Sequence, residues 1–561
     1  MSEDTLHFLP LGGAGEIGMN LNLFCFRERW LMVDLGVTFG DPSTPGIDLI
    51  TPDPKFIAER ADQLDGLVLT HAHEDHIGAV AHLWPQLKCP MYATGFTASV
   101  LKRKLAEVGL EDEATITLVE PGQHFDVGPF SIEMVRLTHS IPEPNALIIR
   151  TPLGAIFHTG DWKLDPDPLI GEPVDADQLR KIGDEGVLAL IGDSTNVFDK
   201  GRSGSEADVR ESLIELVGRY EKRVAIASFA SNVARLETIA EVARATGRHA
   251  ALCGRSLWRM NDAARENGYL RGIRPFLNEE EASKLPRDKV LIACTGSQGE
   301  PRAALARIAS GSHPRISLDD GDAVIFSSRK IPGNELSIGR LQDMLVHRGV
   351  EIVTESDHFV HVSGHPAQDE LIDMYQWIRP KIAVPVHGER RHLHAHCRLA
   401  RQCQVPQAVV STNGDMVRLA PGPAGVVDKV HSGRLAVEGE NLLPLEGPVV
   451  RERRRLMYNG AAMATIVVDA TGELVDDPVV TLAGLGGESE DRDDALYDDL
   501  IESIEQAVED LSATARRDDD VLEHAARAAI RRVIRTETGK KPTTDVHVVR
   551  LTSALLSRAE A

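Results

Sequence analysis

The stretch THAHEDHIGA, residues 70–79, decides how this chain is read. It directly follows the apolar run GLVL (66–69), the pattern of a buried strand, so the cluster sits where a strand ends. Three imidazoles and two carboxylates within six residues carry the donors that zinc and similar first-row ions prefer. The order H-x-H-x-D-H offers His71 and His73 to one ion, and Asp75 and His76 to a neighbouring one. Completing two sites takes further His and Asp, again at strand ends. His139 ends SIEMVRLTH, Asp161 ends GAIFHTGD, His387 lies in IAVPVHGE, and Asp34 closes WLMVD. Singly, a strand-end His or Asp is more often a cap or turn residue. Taken with the cluster, they make two ligand sets, with Asp161 as the candidate bridge and Asp34 orienting a ligand from outside.

A second motif competes. In FLPLGGAGEIGMN (8–20), Gly13, Gly15 and Gly18 have the spacing of a dinucleotide-binding turn, and Asp34 stands about where a ribose-binding carboxylate would. That fingerprint needs a helix after the glycines, because the helix N-terminus holds the pyrophosphate. Here Leu21 and Leu23 alternate with Asn20 and Asn22, which predicts a strand. The glycines therefore read as a tight connection between two strands, with Asn20 near the substrate cleft.

A chain of 561 residues predicts two to four domains. Its 42% hydrophobic and 26% charged content is that of an ordinary globular protein. The net charge of −24 argues against electrostatic coating of nucleic acid. It leaves room for a nuclease whose bound ions and local Arg and Lys neutralise phosphates within one cleft. No apolar run approaches the roughly 20 residues of a membrane span, and MSEDTLHF lacks the features of a signal peptide. Six scattered cysteines without a C-x-x-C pair suit reduced thiols, so a cytoplasmic location is expected.

Strands and helices alternate over residues 1–205 as in an α/β sandwich. A second α/β unit spans 206–350, opening on the helical SEADVRESLIELVGRYE. Strands and His/Gly-rich loops return over 351–435, a linker is read at 436–460, and a small α+β domain at 461–561. In that last unit the apolar stripe of LYDDLIESIEQAVEDL reads as core. The run HLHAHC (392–397) invites a third metal, but His392, His394 and His396 alternate and on a helix would face different directions. They are expected to be a surface feature.

Asp34, HAHEDH, His139 and Asp161 resemble the motif series of the metallo-β-lactamase superfamily. Asp193 in IGDSTN, His365 in HVSGH and His387 in PVHGE resemble the added motifs of the β-CASP nucleases. Together with LGGAGEIGMN, HTGDWKLDP, FASN, CTGSQGEP and SSRKIPGNE, these segments span residues 11–389 and are similar to the ribonuclease J family. The resemblance implies a metallo-β-lactamase αββα sandwich with an inserted α/β β-CASP domain at 206–350, and a small α+β C-terminal domain. It also implies a 5′-to-3′ exoribonuclease with endoribonuclease activity, preferring a 5′-monophosphate on single-stranded RNA, in mRNA decay and ribosomal RNA maturation.

On this reading His71, His73, His139 and Asp161 hold one ion, and Asp75, His76, Asp161 and His387 the other. Zinc is the first expectation, with manganese or magnesium as alternatives. Hydroxide generated between the ions attacks the phosphodiester in line, with Asp75 counted among the catalytic residues. His365, held by Asp193, protonates the leaving 3′-oxygen. The resemblance assigns substrate contacts to Ser231, Asn232, Ser297, Arg329, Lys330, His361 and Ser363. A homodimer or homotetramer and partners in an RNA-decay complex are expected, and no membrane. The chain departs from the expected pattern at Val233-Ala234, where a His is expected before the Arg, and at Glu143-Pro144, where Asp-Ser is expected.

Two alternatives stand beside this. One is another hydrolase of the same fold, acting on a small ester or on DNA. The other is an inactive RNA-binding scaffold. The inserted-domain motifs oppose the small-ester hydrolase, His387 the DNA-directed branch, and the intact ligand set the scaffold.

Overall fold

Two sheets face each other across one apolar core in the computed structural model, which describes residues 4–486 and 490–551. The first sheet has eight strands, in the order Gly425–Lys429, Asp415–Ala420, Leu6–Gly12, Leu21–Phe26, Arg29–Val33, Leu64–Val68, Met91–Ala93, Ile116–Leu118. The second has seven: His124–Val127, Phe130–Arg136, Asn145–Thr151, Gly154–His158, Val187–Asp193, Ile382–Val386, Gln407–Ala408. Phe8, Phe24, Leu31 and Val68 from the first meet Ile132, Leu147, Ile156 and Val384 from the second. Helices Ala176–Glu185, Gln368–Ile378 and Arg390–Gln402 cover the outer face of the second sheet through Leu179, Met374, Ile378 and Leu399. This is the αββα sandwich, and burial on both faces explains why strands such as LHFLPLG and LNLFCF are buried at every position.

From the helix Glu206–Val217 through the strand Glu351–Val353 the chain builds a five-stranded parallel sheet. Its order is His249–Cys253, Val290–Cys294, Val224–Ala227, Ala323–Phe326, Glu351–Val353. Short continuous apolar strands (VAIA, VLIAC, AVIF) are what a parallel sheet covered on both faces requires.

The chain divides into two compact units, the second taking Gly40–Asp48 and the residues from Asn441 onward. In that second unit a three-stranded sheet, Val479–Ala483, Ala461–Val468, Thr543–Arg550, packs on two helices. Leu496, Leu500, Ile504 and Val508 of Glu490–Glu509 meet Leu522, Ala526, Ile530 and Ile534 of Asp519–Thr538. Both stripes repeat every four residues, one face of a helix. The stretch 436–460 is itself structured, carrying the strand Asn441–Pro444 and the helix Pro448–Asn459.

After Gly18 comes the strand Leu21–Phe26 and no helix, so the glycines connect two strands. Gly13, Gly15 and Gly18 have φ of 81°, 93° and 87°, the left-handed region that favours glycine. Among the described residues no helix is long and apolar enough to cross a membrane.

Candidate metal centre and active site

Six strands of the sandwich end on the same spot. Asp34 follows Arg29–Val33, His71 follows Leu64–Val68, and His139 follows Phe130–Arg136. Asp161 follows Gly154–His158, Asp193 ends Val187–Asp193, and His387 follows Ile382–Val386. The last two strands are parallel neighbours with Asp193 opposite Val386. Residues far apart in sequence therefore converge because the sheets bring their carboxyl ends together. Asp34 and His387 are held at φ of 62° and 51°, sparsely populated for non-glycine residues.

The donor atoms form three overlapping groupings, each within 4.8 Å: His71, His73, His139 with Asp161; Asp75, His76, His387 with Asp161; and Asp193, His365, His387 with Asp161. The first two use the strand-end ligands, and the third contains the Asp193–His365 pair. In the first, His73 Nδ1 lies 3.1 Å from His71 Nε2 and 3.0 Å from His139 Nε2. Asp161 Oδ2 is 3.9 and 4.0 Å from His71 and His139 Nε2. In the second, the same oxygen is 3.2 Å from His76 Nε2 and 3.7 Å from His387 Nε2. Asp75 Oδ2 stands 3.6 Å from each of those nitrogens. His71, His76, His139, Asp161 and His387 are buried, while His73 and Asp75 are half-exposed, so the centre opens on their side.

Burial pushes the pKa of His71 and of His139 well below the usual imidazole value, and that of His73 to about 4. Neutral imidazoles are the form that ligates. Burial would raise the Asp161 carboxyl, but His387, His76 and His365 around it hold it well below the usual range. Burial also opposes charge on His76, and there Asp161, Asp75 and Asp34 outweigh it and raise the pKa.

Four of the five rings are pinned on their far side, His71, His76, His139 and His387. Asp34 Oδ2 lies 2.7 Å from His76 Nδ1, and its carboxylate accepts from Thr70 N and Oγ1, both at 2.8 Å. Thr70 Oγ1 is 3.0 Å from His71 Nδ1, and His139 Nδ1 faces the Gly364 carbonyl. The Asn20 amide lies 3.0 Å from the far-side His387 Nδ1 and 3.1 Å from His76 Nε2 on the donor side, which ties the glycine turn to the centre. Such outer partners fix tautomer and orientation, and with the donor types present they fit divalent cations.

Beside this centre His365 Nδ1 lies 2.8 Å from Asp193 Oδ2 and 3.8 Å from Asp161 Oδ2. Burial lowers the His365 pKa, but Asp193 and Asp161 outweigh it and bring it to about 9. Thr195 donates to Asp193 Oδ1 from its N at 2.8 Å and its Oγ1 at 2.7 Å, leaving Oδ2 to His365.

The residues expected at the substrate divide. Ser363 Oγ accepts from Asn196 Nδ2 at 2.7 Å and His365 N at 3.1 Å. His361 is half-buried, its Nδ1 has no partner among the described residues, and burial followed by Arg235 pushes its pKa to about 3. Arg329 bonds Asn196 Oδ1 at 3.0 Å and Asp199 Oδ2 at 2.7 Å, so the inserted domain reaches the Asp193 loop. Ser297 is buried and Lys330 exposed around a small cavity of about 10 Å³. Ser231 is half-buried in the turn before the helix Val233–Ala245. Asn232 caps that helix, accepting from Arg235 N at 2.8 Å and donating to Glu206 at 3.3 Å, so its side chain is spent on the fold.

Three features were not legible beforehand. Glu143 joins the two domains, accepting from Phe96 N at 2.8 Å and Tyr269 Oη at 3.0 Å. His392 and His396 are not a surface feature: four apart, they share one buried helix face, and of the three only His394 is exposed. In the inserted domain Cys253, Glu279 and His313 cluster. His313 Nδ1 accepts from Arg315 and Ile316 N–H at 3.3 and 3.1 Å, which leaves the proton on Nε2, 3.4 Å from Cys253 Sγ. A hydrogen bond accounts for that contact.

Fold and site define a class: a metal-dependent hydrolase of the metallo-β-lactamase fold carrying an inserted β-CASP domain. Family models match as "Beta-lactamase superfamily domain" at 29–179, "Ribonuclease J, beta-CASP domain" at 221–345, "Zn-dependent metallo-hydrolase RNA specificity domain" at 349–406, and "Ribonuclease J C-terminal domain" at 448–551. The chain is 46% identical to Ribonuclease J of Sinorhizobium meliloti, over 98% of each chain. It is 38% identical to Ribonuclease J of Corynebacterium glutamicum, over 98% of this chain and 76% of that one. With Ribonuclease J of Thermus thermophilus it shares 35% identity over 86% of this chain and 85% of that one. A crystal structure of a protein of unknown function from Enterococcus faecalis V583 shares the fold, with TM-score 0.52 and 16% identity over 74% of this chain and 100% of that one. The chain belongs to the ribonuclease J family and is a metal-dependent nuclease.

Proposed function

We propose that this chain is a two-metal ribonuclease that shortens single-stranded RNA from its 5′ end, prefers a 5′-monophosphate, and also cuts internally. The observation that carries the reading is Asp161 Oδ2, common to two complete donor sets and 3.8 Å from the Asp193-held His365. Family membership supports the RNA substrate, and the proposed setting is mRNA decay and ribosomal RNA maturation in the cytoplasm. The same reading takes the working form as a homodimer or homotetramer able to join an RNA-decay complex.

His71, His73 and His139 with Asp161 would hold one divalent ion, and Asp75, His76 and His387 with Asp161 the other, zinc first, with manganese or magnesium as alternatives. When bound, such a pair lowers the pKa of water and offsets charge on the phosphodiester. The protein's own groups do the rest. Asp34, Thr70, Asn20 and the Gly364 carbonyl keep the imidazoles aimed inward. Asp193 occupies His365 Nδ1, so Nε2 is the atom that delivers a proton to the leaving 3′-oxygen. Ser363 Oγ already accepts two N–H groups, so its own hydrogen is available to a phosphate oxygen, and the unpartnered His361 Nδ1 serves the same cleft. Arg329 and Lys330, with Ser231 and Ser297, supply the remaining contacts along the strand.

The test uses one RNA sequence bearing 5′-monophosphate, 5′-triphosphate or 5′-hydroxyl, beside the matching DNA. The proposal expects fastest loss of 5′ nucleotides from the monophosphate and little cleavage of DNA. Equal rates on all three ends would remove the exonuclease preference, and equal rates on DNA would remove the RNA assignment.

A further inference from the structure

Asp193 is useful only if its Oδ2 stays within reach of His365, and the chain around it is gripped from behind. Ser194 Oγ, fully buried, lies 2.9 Å from His396 Nδ1. His396 Nε2 lies 2.9 Å from Tyr375 Oη, and both side chains are buried. Burial pushes His396 to about 4 and Tyr375 above its ordinary value, so both are neutral at physiological pH.

The bonding pattern fixes the direction of the chain. If Tyr375 O–H donates to His396 Nε2, then His396 Nδ1–H donates to Ser194 Oγ, and Ser194 O–H donates to the Gly192 carbonyl at 3.4 Å. Every hydrogen then has an acceptor. The reverse direction leaves the Tyr375 hydrogen without one among the described contacts, which is unfavourable in a buried site. The relay thus ends on both residues that flank Asp193.

Packing enforces the same approach. A Cβ on Gly192 would stand 2.7 Å from Leu190 Cδ2 and in ordinary contact, 3.4 Å, with His396 Cε1, and one on Gly388 would stand 3.0 Å from Ser194 Cβ and 2.9 Å from His392 Cβ. Thr195 Oγ1, whose hydrogen goes to Asp193 Oδ1, also lies 3.3 Å from the His387 carbonyl. The helix Arg390–Gln402, which leaves the His387 segment, therefore folds back to seat the end of the strand Val187–Asp193.

We propose that His396, through Ser194 and with Tyr375 behind it, is a positioning residue that holds Asp193 in register for His365. This rests on the Asp193–His365 reading above.

The experiment measures kcat, KM and bound metal for His396→Leu, His396→Asn, Tyr375→Phe, Asp193→Asn and the Asp193→Asn/His396→Leu pair in the full chain. His396→Leu, which removes both bonds, is expected to lower kcat by about 10–100-fold with KM and metal content unchanged. His396→Asn keeps a donor toward Ser194 and should restore most of the loss. In the Asp193→Asn background His396→Leu should add nothing, because the group it positions is already gone. Parental kcat in His396→Leu, or losses that multiply in the pair, would overturn the inference. Were His396→Leu not to fold, Tyr375→Phe would carry the same comparison, and a kcat loss undiminished by Asp193→Asn would overturn it equally. Parental kcat in Asp193→Asn would instead overturn the Asp193–His365 reading, and this inference with it.

Discussion

Asp34 Oδ2 sits 2.7 Å from His76 Nδ1, with both side chains sealed from solvent, although 42 residues separate them. The carboxylate therefore sets which His76 nitrogen faces the donor cluster. Asparagine tolerates the left-handed backbone of position 34, so Asp34→Asn isolates the carboxylate. The variant should bind divalent metal about 10–100-fold more weakly, read by competition with a chelator. Unchanged affinity would remove Asp34 from the account.

His365→Ala removes the proposed proton donor but none of the residues proposed to hold the two ions, His71, His73, His139, Asp75, His76, Asp161 and His387, although His365 also lies in a third grouping with Asp161, Asp193 and His387. It should lower kcat by about 10²–10⁴-fold while bound metal and KM stay near parental values. A loss confined to KM would make His365 a binding residue.

Gly36 lies where a Cβ would collide with the Asp75 carbonyl and the His76 backbone nitrogen. Its own N–H donates to the Asn20 carbonyl at 2.9 Å, so it cannot easily back away. Gly36→Ala should destabilise the fold by about 1–3 kcal/mol and reduce metal content by displacing Asp75 and His76. Thermal unfolding and elemental analysis on the same preparation check it.

Glu206 and Arg235 form a buried pair at 2.9 Å, and Arg235 also donates to the Val360 carbonyl at 3.0 Å. Burial would raise the Glu206 carboxyl, but Arg235 and then Lys163 outweigh it and hold it below the ordinary glutamate value of 4.5. A depressed folded-state pKa means stabilisation that is full above the unfolded value and lost as pH falls through the folded one. The parent protein should lose stability steeply below about pH 4.5, and Glu206→Gln less steeply. At neutral pH the variant should be destabilised by about 3–5 kcal/mol, because Arg235 is left buried and unpaired. Parallel acid limbs in unfolding curves would contradict this.

HAHEDH was legible because its donors are consecutive, and His139, Asp161 and His387 because each ends an apolar run. The false dinucleotide fingerprint was legible as false because period-2 alternation followed it. Asn20, Thr70, Thr195 and the Gly364 carbonyl were not singled out as orienting partners, since a lone small polar residue carries no sign of the ring it faces. His396 misled for a physical reason: alternation of 392, 394 and 396 suggests dispersal, but on a helix the first and last are i and i+4 and share a face. Asn232 matched a family segment, yet its geometry gives it to a helix cap. The second unit's claim on Gly40–Asp48 had no sequence signal, because it depends on contacts with chain some 400 residues away.

The central claim is that the two donor sets sharing Asp161 hold the ions that cleave RNA. Elemental analysis and RNA cleavage on one preparation each of parent and His73→Ala/Asp75→Ala test it most directly, since the two changes remove one donor from each set. The account predicts about two ions per chain in the parent, with ions and cleavage both lost in the variant while it remains folded. Cleavage that survives in the variant would contradict it.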